Sequence, residues 1–212
     1  MAQVTLTFEQ ALSRGRSLLN NANERIIIGI VGKPGAGKST LTTYLMKNLP
    51  PEQVSFVPMD GYHLSNKVLD ALGRRNRKGA PDTFDSHGYA ALLQRIATSN
   101  DEVYFPEFHR DVEESIAAEG VVTANTKLIF TEGNYLLHNK DGWEKVAPLL
   151  SETWYVDVDD TTRLERLVNR HHSFGKDRQA AHEWAHGSDE NNARLVEGAK
   201  DLADFLVINA EQ

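Results

Sequence analysis

Residues 32–39 read Gly-Lys-Pro-Gly-Ala-Gly-Lys-Ser, and no other stretch constrains the fold of this 212-residue chain so tightly. Gly32, Gly35 and Gly37 let the backbone turn sharply and approach a polyphosphate closely. The loop's amide N–H groups then point inward as a nest for anionic oxygens, which makes Gly32, Lys33, Pro34, Gly35, Ala36, Gly37, Lys38, Ser39 and Thr40 the expected nucleotide-binding residues. Lys38 brings a positive charge to the β and γ phosphates, and Ser39 offers a hydroxyl to Mg²⁺. Such a loop must follow a strand and open a helix. Ile26-Ile27-Ile28-Gly29-Ile30-Val31 suits a strand buried on both faces. Leu41, Leu45 and Leu49 recur at helical spacing, and Pro50-Pro51 stops that helix.

The rest of the chain alternates in the same way. Strands are expected at 54–59, 121–123, 127–130, 154–158 and 205–208, and helices at 89–96 and 161–170. Pro106 demotes the run 103–106 to a strand end or an edge. An amphipathic helix is expected over residues 6–20, and residues 62–87 look like a functional loop with short helical pieces. The pattern predicts an α/β fold: a doubly wound, mostly parallel β-sheet with flanking helices and a small lid, in one domain spanning 1–212. Ligands of such sheets bind beyond the carboxyl ends of the strands. Asp60, Glu132 and the phosphate loop all fall at such ends.

Each of these carboxylates has an ordinary reading beside a chemical one. Asp60 precedes Gly61 and could be a plain turn residue. Beside a phosphate loop, a strand-end carboxylate suits the base that orients a hydroxyl and accepts its proton. Glu132 could serve a helix N-terminus, or hold Mg²⁺ opposite Ser39 directly or through water. The preceding position, aspartate in many P-loop proteins, is Thr131 here.

The cations divide similarly. Arg163, Arg166 and Arg170 are spaced to share a helix face, with Leu164, Leu167 and Val168 expected opposite. Arg166 and Arg170 are read as closing over a transferring phosphoryl group, and Arg163 as part of a solvated basic surface. The segment 170–185 is a candidate lid. Arg77 and Lys78 belong to a basic cluster able to hold an anionic substrate, with Tyr62, His63 and Arg110 as further substrate contacts. His171, His172 and His182 are read as non-metal residues.

Composition closes off several functions. A net charge of −7 argues against a general nucleic-acid binder. No apolar run is long enough to span a bilayer, and the first twenty residues lack a signal-peptide core. With no cysteine, disulfides and thiolate metal sites are excluded. The expected location is the cytoplasm, and the expected partner is a small-molecule hydroxyl acceptor, with no nucleic acid and no membrane; a homodimer is left open.

The order of motifs resembles the pantothenate kinase, uridine kinase and phosphoribulokinase superfamily of P-loop small-molecule kinases. The matching pieces are 32–39, Met59-Asp60-Gly61-Tyr62-His63, the run 77–85, Phe130-Thr131-Glu132-Gly133 and the run 166–171. Phe105-Pro106-Glu107-Phe108, Glu132-Gly133-Asn134-Tyr135-Leu136-Leu137 and Ser188-Asp189-Glu190 look like its nucleoside-kinase-like, or fructose-transport-kinase-like, branch. The resemblance implies ATP and Mg²⁺ as cofactors, Asp60 as catalytic base, Lys38 and Ser39 as serving ATP and Mg²⁺, Arg170 as a lid residue, and the loop near Asn209 as lying by the adenine. The rival reading is a P-loop ATPase or regulatory nucleotide switch without an acceptor. Asn139-Lys140-Asp141 misplaces the aspartate of a guanine-reading motif by one position, which disfavours a GTPase.

Overall fold

The computed structural model describes residues 3–209. Six strands form a wholly parallel sheet: β1 (Val4–Thr7), β2 (Ile26–Val31), β3 (Val54–Pro58), β6 (Leu128–Glu132), β7 (Glu152–Val156) and β8 (Phe205–Ile208). Their order across the sheet is β1-β8-β7-β2-β6-β3. β4 (Val103–His109) and β5 (Glu114–Val122) pair antiparallel as a separate hairpin.

Alternation along β2 builds two cores. Ile28 and Ile30 face one side, where they meet Leu12 and Leu19 of α1 (Phe8–Asn21) and Leu41 and Leu45 of α2 (Lys38–Asn48). Ile27 and Val31 face the other side, with Tyr89, Leu93 and Ile96 of α4 (Ser86–Thr98) and the buried Trp143. Both faces of the central strand are thus covered, as its continuous β-branched run requires. α3 (Asn66–Ala71) lies in the loop before α4, and α5 (Asp160–Ser173), α6 (Arg178–Trp184) and α7 (Glu190–Glu197) follow β7.

Several expectations shift. The N-terminal helix starts at Phe8, not residue 6, and residues 4–7 are a strand that extends the sheet beside β8. Thr7 sets that boundary through a capping box: its hydroxyl accepts from the Gln10 amide while the Gln10 side chain accepts from the Thr7 amide at 2.8 Å. The runs 121–123 and 127–130, both expected as strands, fall in different sheets. The first is the end of β5 and the second is β6, between β2 and β3. Pro106 sits inside β4 at a register shift, where its missing N–H breaks no ladder bond.

That hairpin is packed onto the end of β3. A Cβ at Gly61, one residue beyond Asp60, would lie 2.0 Å from the Pro106 carbonyl oxygen. Backbone cannot yield there as a flexible side chain would. Gly61→Ala is expected to cost about 1–3 kcal/mol of stability through overpacking. The turn carrying Asp60 must also shift to relieve the clash; denaturant melts of the native and substituted proteins check the loss.

Candidate active site

The phosphate loop joins β2 to α2 and wraps a lysine. Lys38 is 7% exposed, and its Nζ donates to the carbonyls of Gly32 at 2.8 Å and Lys33 at 3.2 Å, and to Asn134 Oδ1 at 2.8 Å. Two of the loop's glycines show why the residue is needed. Gly37 has φ +97°, and Gly35 has φ +81° with its α-carbon so near α5 that a Cβ would stand 2.7 Å from the Arg163 carbonyl oxygen.

Burial is the main cause that drives the Lys38 pKa down to about 8, with Arg170 adding to it; Glu132, Asp60 and Asp189 oppose. Glu132 closes β6, and its own pKa is raised, first by burial, against the pull of Lys38 and the Ser39 hydroxyl. Ser39 Oγ donates to Glu132 Oε1 at 2.9 Å, and Thr42 Oγ1 to Oε2 at 3.3 Å. Thr131 turns the other way: fully buried, it donates to the Val57 carbonyl at 2.6 Å and bonds the Tyr89 hydroxyl. Glu132 is therefore the carboxylate that β6 presents beside Ser39. A hydroxyl and a carboxylate fit a hard cation with oxygen ligands. Among the described residues no group of three or more acidic or histidine side chains could hold a metal alone, so Mg²⁺ here would share its ligands with phosphate and water.

These groups line an open cleft of about 780 Å³. Pro34, Gly35, Gly37, Lys38, Ser39 and Thr40 form its floor. Asp60, His63, Lys78 and Arg110 stand on one wall, with Arg166 and Arg170 on another. Asp60 accepts from Arg110 Nη2 at 3.3 Å. His63 is sandwiched by Phe84 and Phe108, at 4.0 and 4.6 Å between ring centroids, and burial lowers its pKa. Its Nδ1 lies 2.8 Å from the Asp60 carbonyl; a carbonyl can only accept, so Nδ1 carries the proton. A small side hollow opens beside Gly37, Thr40 and Arg166, lined also by Phe8, Ala36 and Asn209.

Other expected site residues lie elsewhere. Arg77 is held at the surface by an ion pair with Asp82, outside the cleft lining. Tyr62 packs edge-on against Tyr89 beneath the wall instead of lining it. Lys33 Nζ turns away from the loop to Asp160 and Glu197, both at 2.8 Å. Arg163 is not on a solvated face. It is 1% exposed, shares its buried stripe with Leu167, and is paired with Asp160 and Glu190.

Some cleft residues escaped notice as site residues. Asn134 binds Lys38, and Asp189 accepts from His171 Nε2 at 2.6 Å on the cleft wall. Both lie in motifs that the family resemblance picks out. Phe174, Lys176 and Trp184 join them from the α5–α6 segment.

The sequence model of the phosphoribulokinase/uridine kinase family matches residues 27–210. The chain belongs to that family. It is a P-loop kinase. A Schizosaccharomyces pombe protein provisionally described as uridine kinase C227.14 is 31% identical over 174 residues, 78% of this chain and 74% of that protein. The ATP-dependent kinase YFH7 of Zygosaccharomyces rouxii is 29% identical over 185 residues; the match covers 69% of this chain but about half (49%) of that relative. Among solved structures, a provisionally described fructose transport system kinase from Silicibacter sp. TM1040 superposes with a TM-score of 0.81 at 33% identity, covering 92% of this chain and 97% of that one. No helix of the described residues is long and apolar enough to cross a membrane.

The Lys38 environment sets a pH dependence for this kinase. With its pKa near 8, the free protein holds the ammonium below that pH and loses it above. kcat/KM for nucleotide is therefore expected to be flat below pH about 8 and to fall about tenfold per unit above it, since it reports the free enzyme. kcat should hold to higher pH, because bound phosphates keep the proton on. Stability moves the opposite way. Between about 8 and 10.5 the unfolded chain carries the extra proton, so the unfavourable contribution of buried Lys38 is relieved as pH rises. Rate and melting profiles over pH 6.5–10 test both signs.

Proposed function

We propose that this kinase moves the γ-phosphoryl of Mg·ATP to a hydroxyl of a small metabolite, one that is pantothenate-, nucleoside- or sugar-like. The observation that carries this reading is the facing of Asp60 and the phosphate loop across one cleft, near enough that Asp60 influences the ionisation of both Lys38 and Glu132. A bare ATPase needs no carboxylate, histidine and arginine gathered on a wall opposite its phosphates.

In this mechanism the Asp60 carboxylate accepts a hydrogen bond from the acceptor hydroxyl and takes its proton as the oxygen attacks the γ-phosphorus. Lys38 neutralises charge that develops on the β–γ bridging oxygen as that bond breaks. Arg166 and Arg170 stand over the equatorial oxygens of the transferring group. Neither arginine has a carboxylate partner among the described residues. Ser39 and Glu132 would hold Mg²⁺, which supplies further charge neutralisation on the phosphates. The loop amides of Gly35, Gly37, Lys38, Ser39 and Thr40 position the triphosphate, while that of Ala36 donates to the Lys33 carbonyl at 3.0 Å. The nucleoside end of ATP is assigned to the side of Arg166 and Asn209, beside Gly37 and Thr40 of the loop, and the acceptor to His63, Lys78 and Arg110. The α5–α6 segment, with Arg170 at its root, acts as a lid that excludes water.

A thermal-shift screen of nucleosides, sugars and pantothenate-like acids, each with a Mg·ATP analogue, is the first test, followed by ADP release with every compound that stabilises. If no compound in a broad screen speeds ATP consumption, the ATPase or switch reading replaces this one. Asp60→Asn should leave Mg·ATP affinity nearly unchanged and lower transfer by about 10²–10⁴, the usual share of a positioned base. A collapse of ATP affinity at normal rate per bound complex would make Asp60 a metal-side residue instead. Arg170→Ala should lower kcat more than it raises KM for ATP, because its contact forms chiefly in the transition state.

A further inference from the structure

Arg163 contributes nothing to the cleft lining, yet it is the most deeply buried arginine of α5. Its Nε donates to Asp160 Oδ1 at 2.8 Å, and its Nη2 pairs with Glu190 at the start of α7. Its Nη1 is buried with no partner among the described residues. Asp160 Oδ1 also accepts from Lys33 Nζ of the phosphate loop, and Lys33 reaches Glu197 at the far end of α7. The loop, α5 and both ends of α7 thus share one network of five charged groups. Steric contact reinforces it, since Gly35 lies against the Arg163 backbone too closely to admit a Cβ.

α7 carries the other half of the connection. Asp189, just before it, holds His171, and Asn192 Nδ2 donates to the Gly79 carbonyl at 3.4 Å. All four of these residues line the cleft on the side of the Lys78 loop. A core position serving stability alone is commonly filled at lower cost by an apolar side chain than by a buried ion pair.

We propose that Arg163 and Glu190 are positioning residues that transmit occupancy of the phosphate loop to the α7 wall of the cleft. Anion binding tightens the loop around Lys38. Gly35 and Lys33 pass that constraint to Arg163 and Asp160. Glu190 passes it to α7, where it orders Asp189 and Asn192. On the same helix, Arg163 keeps Arg166 and Arg170 in register with the loop, one and two turns further along.

The proposal rests on ATP binding at the phosphate loop but not on the identity of the acceptor, so ATP itself, as a slowly hydrolysed Mg·ATP analogue, is the probe. Hydrogen exchange is followed at residues 32–39 and 185–197, with analogue affinity measured in parallel. In the native protein the analogue should slow exchange in both segments, in 185–197 by about tenfold, a coupling within the usual range between sites. In Glu190→Gln and Arg163→Met the analogue should still protect 32–39, while the slowing at 185–197 disappears. Arg163→Lys keeps the charge but holds one carboxylate at a time, and should give an intermediate slowing. If Arg163→Met does not fold, Glu190→Gln decides alone, because its substitution preserves shape at a partly exposed site. Unaltered slowing at 185–197 in Glu190→Gln overturns the proposal, as does no slowing there in the native protein despite protection of 32–39. Failure of the analogue to bind the native protein at all would instead overturn the kinase mechanism on which it rests.

Discussion

A single primary ammonium group, folded under the carbonyls of its own loop, organises this molecule. Burying a cation is costly unless acceptors surround it. Lys38 meets that requirement with two loop carbonyls and the Asn134 amide oxygen. Each acceptor fixes something larger. The carbonyls of Gly32 and Lys33 can converge on one nitrogen only if the loop curls back on the start of α2. Asn134 can reach it only if β6 lies beside β2 and ends level with the loop, as the pairing of Ile30 with Glu132 ensures. The same register sets Glu132 beside Ser39, so the cation and its neighbouring carboxylate are placed by one strand pairing.

Strand order then explains why the cleft opens where it does. β2 has β6 on one side and β7 on the other, and the chain departs from β2 toward β3 before returning. A crevice at the carboxyl ends follows from that change of direction. Beyond β3 the turn carrying Asp60 is pinned by the hairpin through Gly61 and Pro106, and beyond β7 the chain enters α5 with its arginines. The sheet supplies a floor, and two appended elements, hairpin and helices, supply facing walls.

How much of this was legible in the sequence depended on whether the deciding interaction was local. The phosphate loop, β2 and α2 were readable because strand, turn and helix signals abut. The family and the parallel sheet followed. Helical periodicity was legible near the N-terminus but ran on to residue 6, because the strand that ends at Thr7 is defined by pairing with β8, about two hundred residues away. Arg77 and Lys78 are adjacent and chemically alike, yet Asp82 captures the first while Asn66 and the cleft hold the second. Nothing in spacing distinguishes them. Tyr62 shares its motif with His63 but sends its ring to Tyr89, while His63, just past the end of that short helical turn, packs between Phe84 and Phe108.

The arginines of α5 carry the same lesson into energetics. Helical periodicity placed Arg163, Arg166 and Arg170 on neighbouring positions of one helix, and made the first look like solvated surface. Which member of such a row is buried is decided by what packs on it, here Gly35 and α7. A protein of net charge −7 needs cations in its cleft to attract a polyphosphate, but each cation needs either water or a partner. Arg163, deprived of water, takes two carboxylates. Arg166 and Arg170, opening onto the cleft, take none among the described residues, and so keep their charge available to an incoming anion. One residue type, repeated along one helix, is thereby divided between holding the site together and facing its substrate. The division is made by what packs against each guanidinium, carboxylates for Arg163 and the open cleft for the other two.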